Sequence, residues 1–353
     1  MILSSGIGTY LRNLLFELRE SPFRIELIVS PQAVEKVSWL SAFELRPCTA
    51  PIYSISEQIE LPKIIPSCDL FWTPHLNIPL LPVRAKRRVA TVHDAYHLAF
   101  FSRLRLQEKC YTKLIFSRLK RYANRIITDS EFSKSELEKY AGLSQEKIDV
   151  VPCGVDMGFF SAASAETERE EALSSLPKKF ILFVGNLKPH KNVQGLIKAF
   201  EHLQKRGFSD HALVIVGKKA GLRTAEHAFF SNPQVLFLEN IEDKELPLVY
   251  RRAALTVLPS FYEGFGLPPL EAMGCGCPVV VSRAASLPEV CGPAAEYVDP
   301  YDPLDIARGV EKVLRDPALQ SDLKQKGFER ASQFSWKRAA ERHLQIFEEV
   351  INA

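Results

Sequence analysis

The 353-residue sequence predicts an α/β chain made of two doubly wound parallel-sheet domains facing a cleft. Three observations carry that expectation. The length exceeds what one hydrophobic core usually organises. Short apolar, β-branched runs alternate with amphipathic stretches throughout, the pattern of parallel sheets covered on both faces. Near the middle, "SAASAETEREEALSSLPKK" is small, polar and charged, as a linker or flexible helix should be.

In chain order, strands are expected at "RIELIVS", "LFWTP", "RRVATVHD", "RIITDS" and "IDVVPCG" in the first half. The second half offers "FILFVGN", "ALVIVG", "VLFLEN", "LTVLPS" and "PVVVS". Helical patterns follow most of them: "TYLRNLLFELRES", "SKSELEKYAG", "NVQGLIKAFEHLQKRG", "DKELPLVYRRA" and "PLDIARGVEKVLRD". The chain closes on an amphipathic helix with Trp336, Ala340, Leu344, Phe347 and Ile351 on one side. The expected domains are residues 1–160 and 161–335, with 336–353 a helix that packs back on the first. One feature departs from this pattern. A doubly wound domain should deliver its chain by a strand into the first glycine turn, yet only Met1, Ile2 and Leu3 precede "SSGIGTYLRNLL", so the first strand is expected to be missing.

The composition, 46% hydrophobic and 25% charged, is that of a soluble globular protein. No run approaches the ~18 apolar residues of a membrane span, and no charged region followed by an apolar block marks a secretory signal. A cytoplasmic protein is expected. Seven cysteines, none in a CxxC pair, suggest buried reduced thiols. The net charge of +3 hides a local bias: residues 81–125 hold twelve Lys/Arg against Asp94 and Glu108. Within them "RLRLQEKCYTKLIFSRLKRYANR" has helical spacing, with Leu106, Tyr111, Leu114, Ile115 and Leu119 as its apolar stripe. This reads either as a core-packed helix with a solvated basic face or as a peripheral contact with an anionic membrane or acceptor. No nucleic-acid motif accompanies the charge.

Open parallel sheets bind ligands at the carboxyl ends of their strands, so the strand-to-helix turns are the sites to read. Four stand out. "PSFYEGFGLPPLEAMGCGC" places Glu263 at a loop entry and Glu271 about one turn into the following helix. Two such carboxylates could be an acid/base pair, hydrogen-bond acceptors for a sugar or ribose, or surface charges. Their placement does not suit an acid/base pair across a scissile bond. The glycines permit unusual backbone, Pro268 and Pro269 suit a first helical turn, and the amides of Phe265, Gly266 and Leu267 make an anion site. "FVGNLKPHKNVQ" carries Lys188, His190 and Lys191 between a strand and a helix, either a solvated basic loop or a site stabilising a leaving diphosphate. In "VATVHDAYHLAF", His93 directly follows a strand, as a satisfied structural group or a cleft-facing one. "SGIGTY" carries Gly6 and Gly8, a GxG without the third glycine of a dinucleotide fold, since Leu11 stands there.

Taken together, these residues resemble the retaining nucleotide-sugar glycosyltransferases of family 4, of the group 1 type, whose GT-B fold pairs two Rossmann-like domains. "SGIGTYLRNLL", "TVHD", "DSEFSKSEL", "VVPCGVD", "FVGNLKPHKN", "EGFGLPPLEAM" and "SLPEV" carry the resemblance over nearly the whole chain. It implies that Glu263 bonds donor-sugar hydroxyls and Glu271 the ribose hydroxyls. The amides of Gly264, Phe265, Gly266 and Leu267 would hold sugar and diphosphate, and Lys191 would bind phosphate. Relatives often carry a basic residue where Asn186 stands, which leaves Lys188 or His190 as substitutes. His93 matches a histidine that approaches the donor sugar. Gly6 and Gly8 match the loop beside phosphates and acceptor, and Ile241 the place where the base packs. The implied activity is metal-independent transfer from a nucleotide-diphosphate sugar, GDP-mannose preferred, to a glycan or lipid-linked acceptor in cell-surface polysaccharide synthesis. No cofactor, metal or nucleic acid is implied. A nucleotide-sugar 2-epimerase and a catalytically silent binding protein of the same fold are the alternatives.

Overall fold

The computed structural model describes residues 1–3, 6–161, 176–217, 232–239 and 241–353. They form two units, Met1–Gly154 with Ser335–Ala353, and Val155–Phe334. The expected linker falls largely outside the described residues.

The second unit is a six-stranded parallel sheet: β7 (Phe180–Val184), β8 (Ala212–Val216), β9 (Val235–Leu238), β10 (Leu255–Leu258), β11 (Val279–Ser282) and β12 (Glu296–Val298). Their order is β12-β11-β10-β7-β8-β9, with register pairs such as Leu182↔Val214 and Val257↔Val280. β7, β8, β10 and β11 are near-continuous apolar runs because helices cover both faces; Phe180, Leu182, Leu213, Leu255 and Val280 are fully buried. Chain order reverses between β7 and β10, so the turns leaving these two strands flank the topological switch point.

The first unit holds a four-stranded parallel sheet, β3 (Cys68–Thr73), β4 (Ala85–Thr91), β5 (Arg125–Thr128) and β6 (Ile148–Val150), in sequential order. A separate parallel pair joins β1 (Glu26–Val29) to β2 (Glu44–Pro47). The helix Ile7–Glu17 opens the chain, and the described residues before it carry no strand. β2 and β12 escape a periodicity reading: one is exposed and ends in proline, the other has three residues. The helices Ile55–Ile64 and Pro317–Ala331 were equally hidden, the first because Pro62 sits inside it.

Three expectations need correction. In the helix Leu106–Tyr122 the buried residues are Thr112, Ile115, Phe116 and Leu119, while Leu106 and Leu114 are exposed among the basic side chains. In the closing helix Trp336–Asn352 the buried face runs through Ala339, His343, Ile346 and Val350, with Trp336, Ala340 and Phe347 beside it; Leu344 and Ile351 lie at its margin. The polar His343 marks the centre of that face, which apolar counting could not see. Of the seven free cysteines only Cys153, Cys277 and Cys291 are buried; Cys110 is exposed.

The closing helix is part of the first unit's core. His343 Nδ1 lies 2.7 Å from the Ala339 carbonyl, which accepts, so Nε2 accepts from the Tyr10 hydroxyl at 2.8 Å. Trp72 Nε1 donates to Thr91 Oγ1 at 3.0 Å beside this pair, and the Trp72 and Phe347 rings pack at 5.5 Å. Asp149 accepts from Arg125 at 3.1 Å and from Arg342 at 2.9 Å, tying β5 and β6 to the same helix.

Candidate functional site

In the second unit, two turns at the switch point are stitched together by one asparagine. Asn192 ends the short turn Pro189–Lys191 with φ of 56°, a left-handed conformation that asparagine tolerates. Its Oδ1 caps the helix Val193–Lys205 by accepting from the Gly195 amide at 3.2 Å. Its Nδ2 donates to the Pro259 carbonyl at 3.1 Å and the Pro300 carbonyl at 2.6 Å. The Phe261 amide donates to the His190 carbonyl at 2.8 Å. The loop after β7 is thereby fixed against the loop after β10.

This fixes Lys191 on Glu263. Lys191 Nζ lies 2.7 Å from both carboxylate oxygens, and the two side chains are only 13% and 8% exposed. Ser260 Oγ donates to Glu263 Oε1 at 2.6 Å, so the carboxylate is anchored from two sides. A charged pair this buried holds together because each partner would otherwise lose hydration without compensation.

The segment after Glu263 is shaped by Ser286, whose hydroxyl lies 3.0 Å from the Glu263 carbonyl and 2.8 Å from that of Phe265. Phe265 turns its ring inward, edge-on to Phe334 at 5.7 Å, so only its backbone is left for a ligand. Gly266 takes φ of 105° as N-cap of the helix Leu267–Gly274. That φ favours glycine, and a Cβ there would also sit 2.7 Å from Leu287 Cδ2, so a larger residue would have to displace that side chain. Pro268 and Pro269 carry no N–H, so the amides that this N-terminus can turn on an anion are those of Gly266 and Leu267. Glu271, one turn on, accepts from the buried Tyr250 hydroxyl at 2.9 Å. Burial pushes its pKa up to about 7, only partly offset by that hydrogen bond.

Lys188 is exposed at the mouth of its turn, its amide 3.4 Å from Asn186 Oδ1. Ile241 is partly buried between β9 and the helix Leu246–Arg252. Gly264 and Leu267 lie in the stitched loop itself, both partly buried.

In the first unit, Gly6 caps the opening helix at φ of 69° with open space around it, whereas a Cβ on Gly8 would meet the Ile2 carbonyl oxygen at 2.7 Å. His93 lies between two acceptors: Nδ1 is 2.7 Å from Asp129 Oδ2 and Nε2 is 3.1 Å from the Pro74 carbonyl oxygen. Tyr10 packs edge-on against its ring at 4.7 Å. Its own carbonyl accepts from Ser133 Oγ at 3.0 Å.

Asn192, Ser260, Tyr250, Ser286 and Asp129 were not picked out from the sequence as site residues. Asp129, Asn192, Ser260 and Ser286 do lie within quoted motifs, "DSEFSKSEL", "FVGNLKPHKN", "PSFYEGFGLPPLEAMGCGC" and "SLPEV". Tyr250 sits in a helix whose apolar pattern masks it. Among the described residues no group of three or more His, Cys, Asp or Glu side chains is arranged to hold a metal ion.

The family model "Glycosyl transferases group 1" matches residues 164–330, and "Glycosyltransferase Family 4" matches 4–159. The chain is 32% identical over 274 residues to O-antigen chain mannosyltransferase B of Escherichia coli, covering 73% of this chain and 69% of that one. It is 34% identical over 233 residues to the serotype-specific mannosyltransferase WbdA of the same species, 64% of this chain but only 28% of the relative. Among solved structures, a sucrose-phosphate synthase from Thermosynechococcus elongatus shares the fold with a TM-score of 0.79 at 19% identity, over 99% of this chain and 94% of that one.

Proposed function

Because the chain belongs to glycosyltransferase family 4, of the group 1 type and GT-B fold, we propose that it transfers a sugar, with retention, from a nucleoside-diphosphate donor to a glycan or lipid-linked acceptor. GDP-mannose is the preferred donor and cell-surface polysaccharide the preferred product; the E. coli mannosyltransferases among the relatives support both.

The observation that carries the reading is the Lys191–Glu263 pair held at the switch point ahead of a helix N-terminus. In the ligand-free chain each charge satisfies the other. A bound donor exchanges partners: its diphosphate takes Lys191 and the amides of Phe265, Gly266 and Leu267, and its sugar hydroxyls take Glu263. Negative charge that develops on the departing diphosphate then falls beside a cation already positioned for it, the work a metal does elsewhere. Glu271 accepts from the ribose, Ile241 packs on the base, Lys188 serves as the second phosphate contact, and Gly264 lends its amide. In the first unit, His93, Gly6 and Gly8 are the candidate residues for the reaction. Attack of the acceptor hydroxyl on the face the diphosphate leaves, with that phosphate taking the proton, needs no protein nucleophile. No cofactor takes part.

Incubation with GDP-mannose and a short mannan acceptor tests this. Transfer with a retained anomeric centre should persist in EDTA; a strict Mg²⁺ requirement overturns the metal-free mechanism. Turnover of the nucleotide sugar without acceptor points instead to an epimerase, and donor binding without any turnover to a silent chain. Lys191→Ala should lower kcat by about 10²–10³-fold with folding intact.

A further inference from the structure

His93 is enclosed by acceptors alone. Asp129 Oδ2 stands 2.7 Å from Nδ1 and the Pro74 carbonyl oxygen 3.1 Å from Nε2. A neutral imidazole has one N–H and one lone pair, so it can satisfy only one of these partners and must turn its lone pair on the other. The carboxylate has its own need. Asp129 is 3% exposed, and its Oδ1 has no hydrogen-bond partner among the described residues. The Cys153 thiol is a weak donor beside Asp129, and a buried carboxylate with so little else is costly unless a cation lies against it.

We infer that His93 is a fixed imidazolium at neutral pH, and that Asp129 is the positioning residue that keeps it doubly protonated. The other titratable groups around the ring come from every neighbouring segment: Asp94 beside it, Tyr10 of the opening helix, His75 after β3, Cys153 after β6 and His343 of the closing helix. His343 stays neutral, Tyr10 and Cys153 are raised well above their ordinary values, and Asp94 adds a second negative charge. Burial opposes the charge on His93, but the field and hydrogen bond of Asp129, with Asp94 and the Pro74 carbonyl, outweigh it and raise its pKa. With both nitrogens protonated and committed, His93 has no lone pair with which to accept a proton. In the transfer reaction, on which this part of the inference rests, it contributes standing positive charge and not general-base catalysis.

The test is ¹⁵N NMR of the full chain labelled at histidine, the His93 signals being assigned by their loss in His93→Gln. Both ring nitrogens should be protonated at pH 7, and Asp129→Asn, whose amide can donate to Nδ1, should leave only one protonated there. An unprotonated Nε2 or Nδ1 in the wild type overturns the inference, and so does an Asp129→Asn ring that keeps both protons. Those readings do not depend on turnover, so a wild type that transfers nothing defeats the transferase reading alone. In an active enzyme, Asp129→Asn should lower kcat about 10²-fold at pH 7.5. Part of that loss should return at pH 6 as the proton comes back; a loss untouched by acid makes Asp129 merely structural and overturns its role.

Discussion

Glu271 shows how much one carboxylate's surroundings add to its position in a motif. The family resemblance implies that it is an acceptor, but only the packing around Tyr250 reveals that its pKa is pushed up to about 7. If the carboxylate receives the ribose hydroxyls, protonation removes an acceptor, so nucleotide affinity should fall as pH drops from 8 to 6. The limit is about tenfold per pH unit below the pKa, when only the ionised form binds. Calorimetric titration with GDP at several pH values checks this, and Glu271→Gln should bind weakly with a flat profile. A wild-type profile as flat as the variant's removes Glu271 from the ribose. The same logic explains why Lys191 and Glu263 were legible as candidates while their pairing was not. A sequence lists a lysine and a glutamate 72 positions apart; Asn192 and the Phe261–His190 bond bring them to 2.7 Å.

At the scale of elements, the strands of both sheets were largely legible because parallel strands covered on both faces must be continuous apolar runs. Helix faces were harder. In the helix Leu106–Tyr122 the neighbours bury Thr112 and Phe116 and leave Leu106 and Leu114 outside, 77% and 42% exposed, among Lys109, Lys113, Lys120 and Arg121. Exposed leucines interleaved with cations suit an anionic lipid surface, and we propose that this helix makes a peripheral membrane contact. Vesicles containing phosphatidylglycerol should co-sediment the protein, with binding weakened at high salt. Leu106→Ser with Lys113→Glu should abolish most of it, and equal binding by the variant would falsify the contact. Among the described residues no helix is long and apolar enough to cross a membrane.

At the scale of the molecule, the chain leaves its first unit at Gly154 and returns to it at Ser335. The returning helix sets a pH signature. Burial lowers the His343 pKa to about 4, below its ordinary 6.5. A base depressed in the folded state contributes stability that is present above pH 6.5 and lost as pH falls towards 4, worth roughly 3 kcal/mol in all. Glu271, raised from 4.5 to about 7, has the opposite slope, losing its contribution as pH rises through that window. The two nearly cancel in the whole chain but lie in different units. All three tryptophans, Trp39, Trp72 and Trp336, belong to the first unit, so their fluorescence during urea unfolding reports His343's unit. By that probe His343→Phe should gain on the wild type by up to ~3 kcal/mol between pH 6.5 and 4. A difference that does not move with pH means His343 is not buried neutral.

The sequence by itself determined the α/β class, most of the strands and the family, because each is written in local pattern: apolar runs, glycine and proline punctuation, and motif spacing. Tertiary structure alone decided which charges meet. It joined Lys191 to Glu263, set Tyr250 on Glu271, placed His93 between Asp129 and Pro74, and turned His343 inward. Hydrogen bonds and desolvation act across space between residues far apart in the chain, and no local period records them.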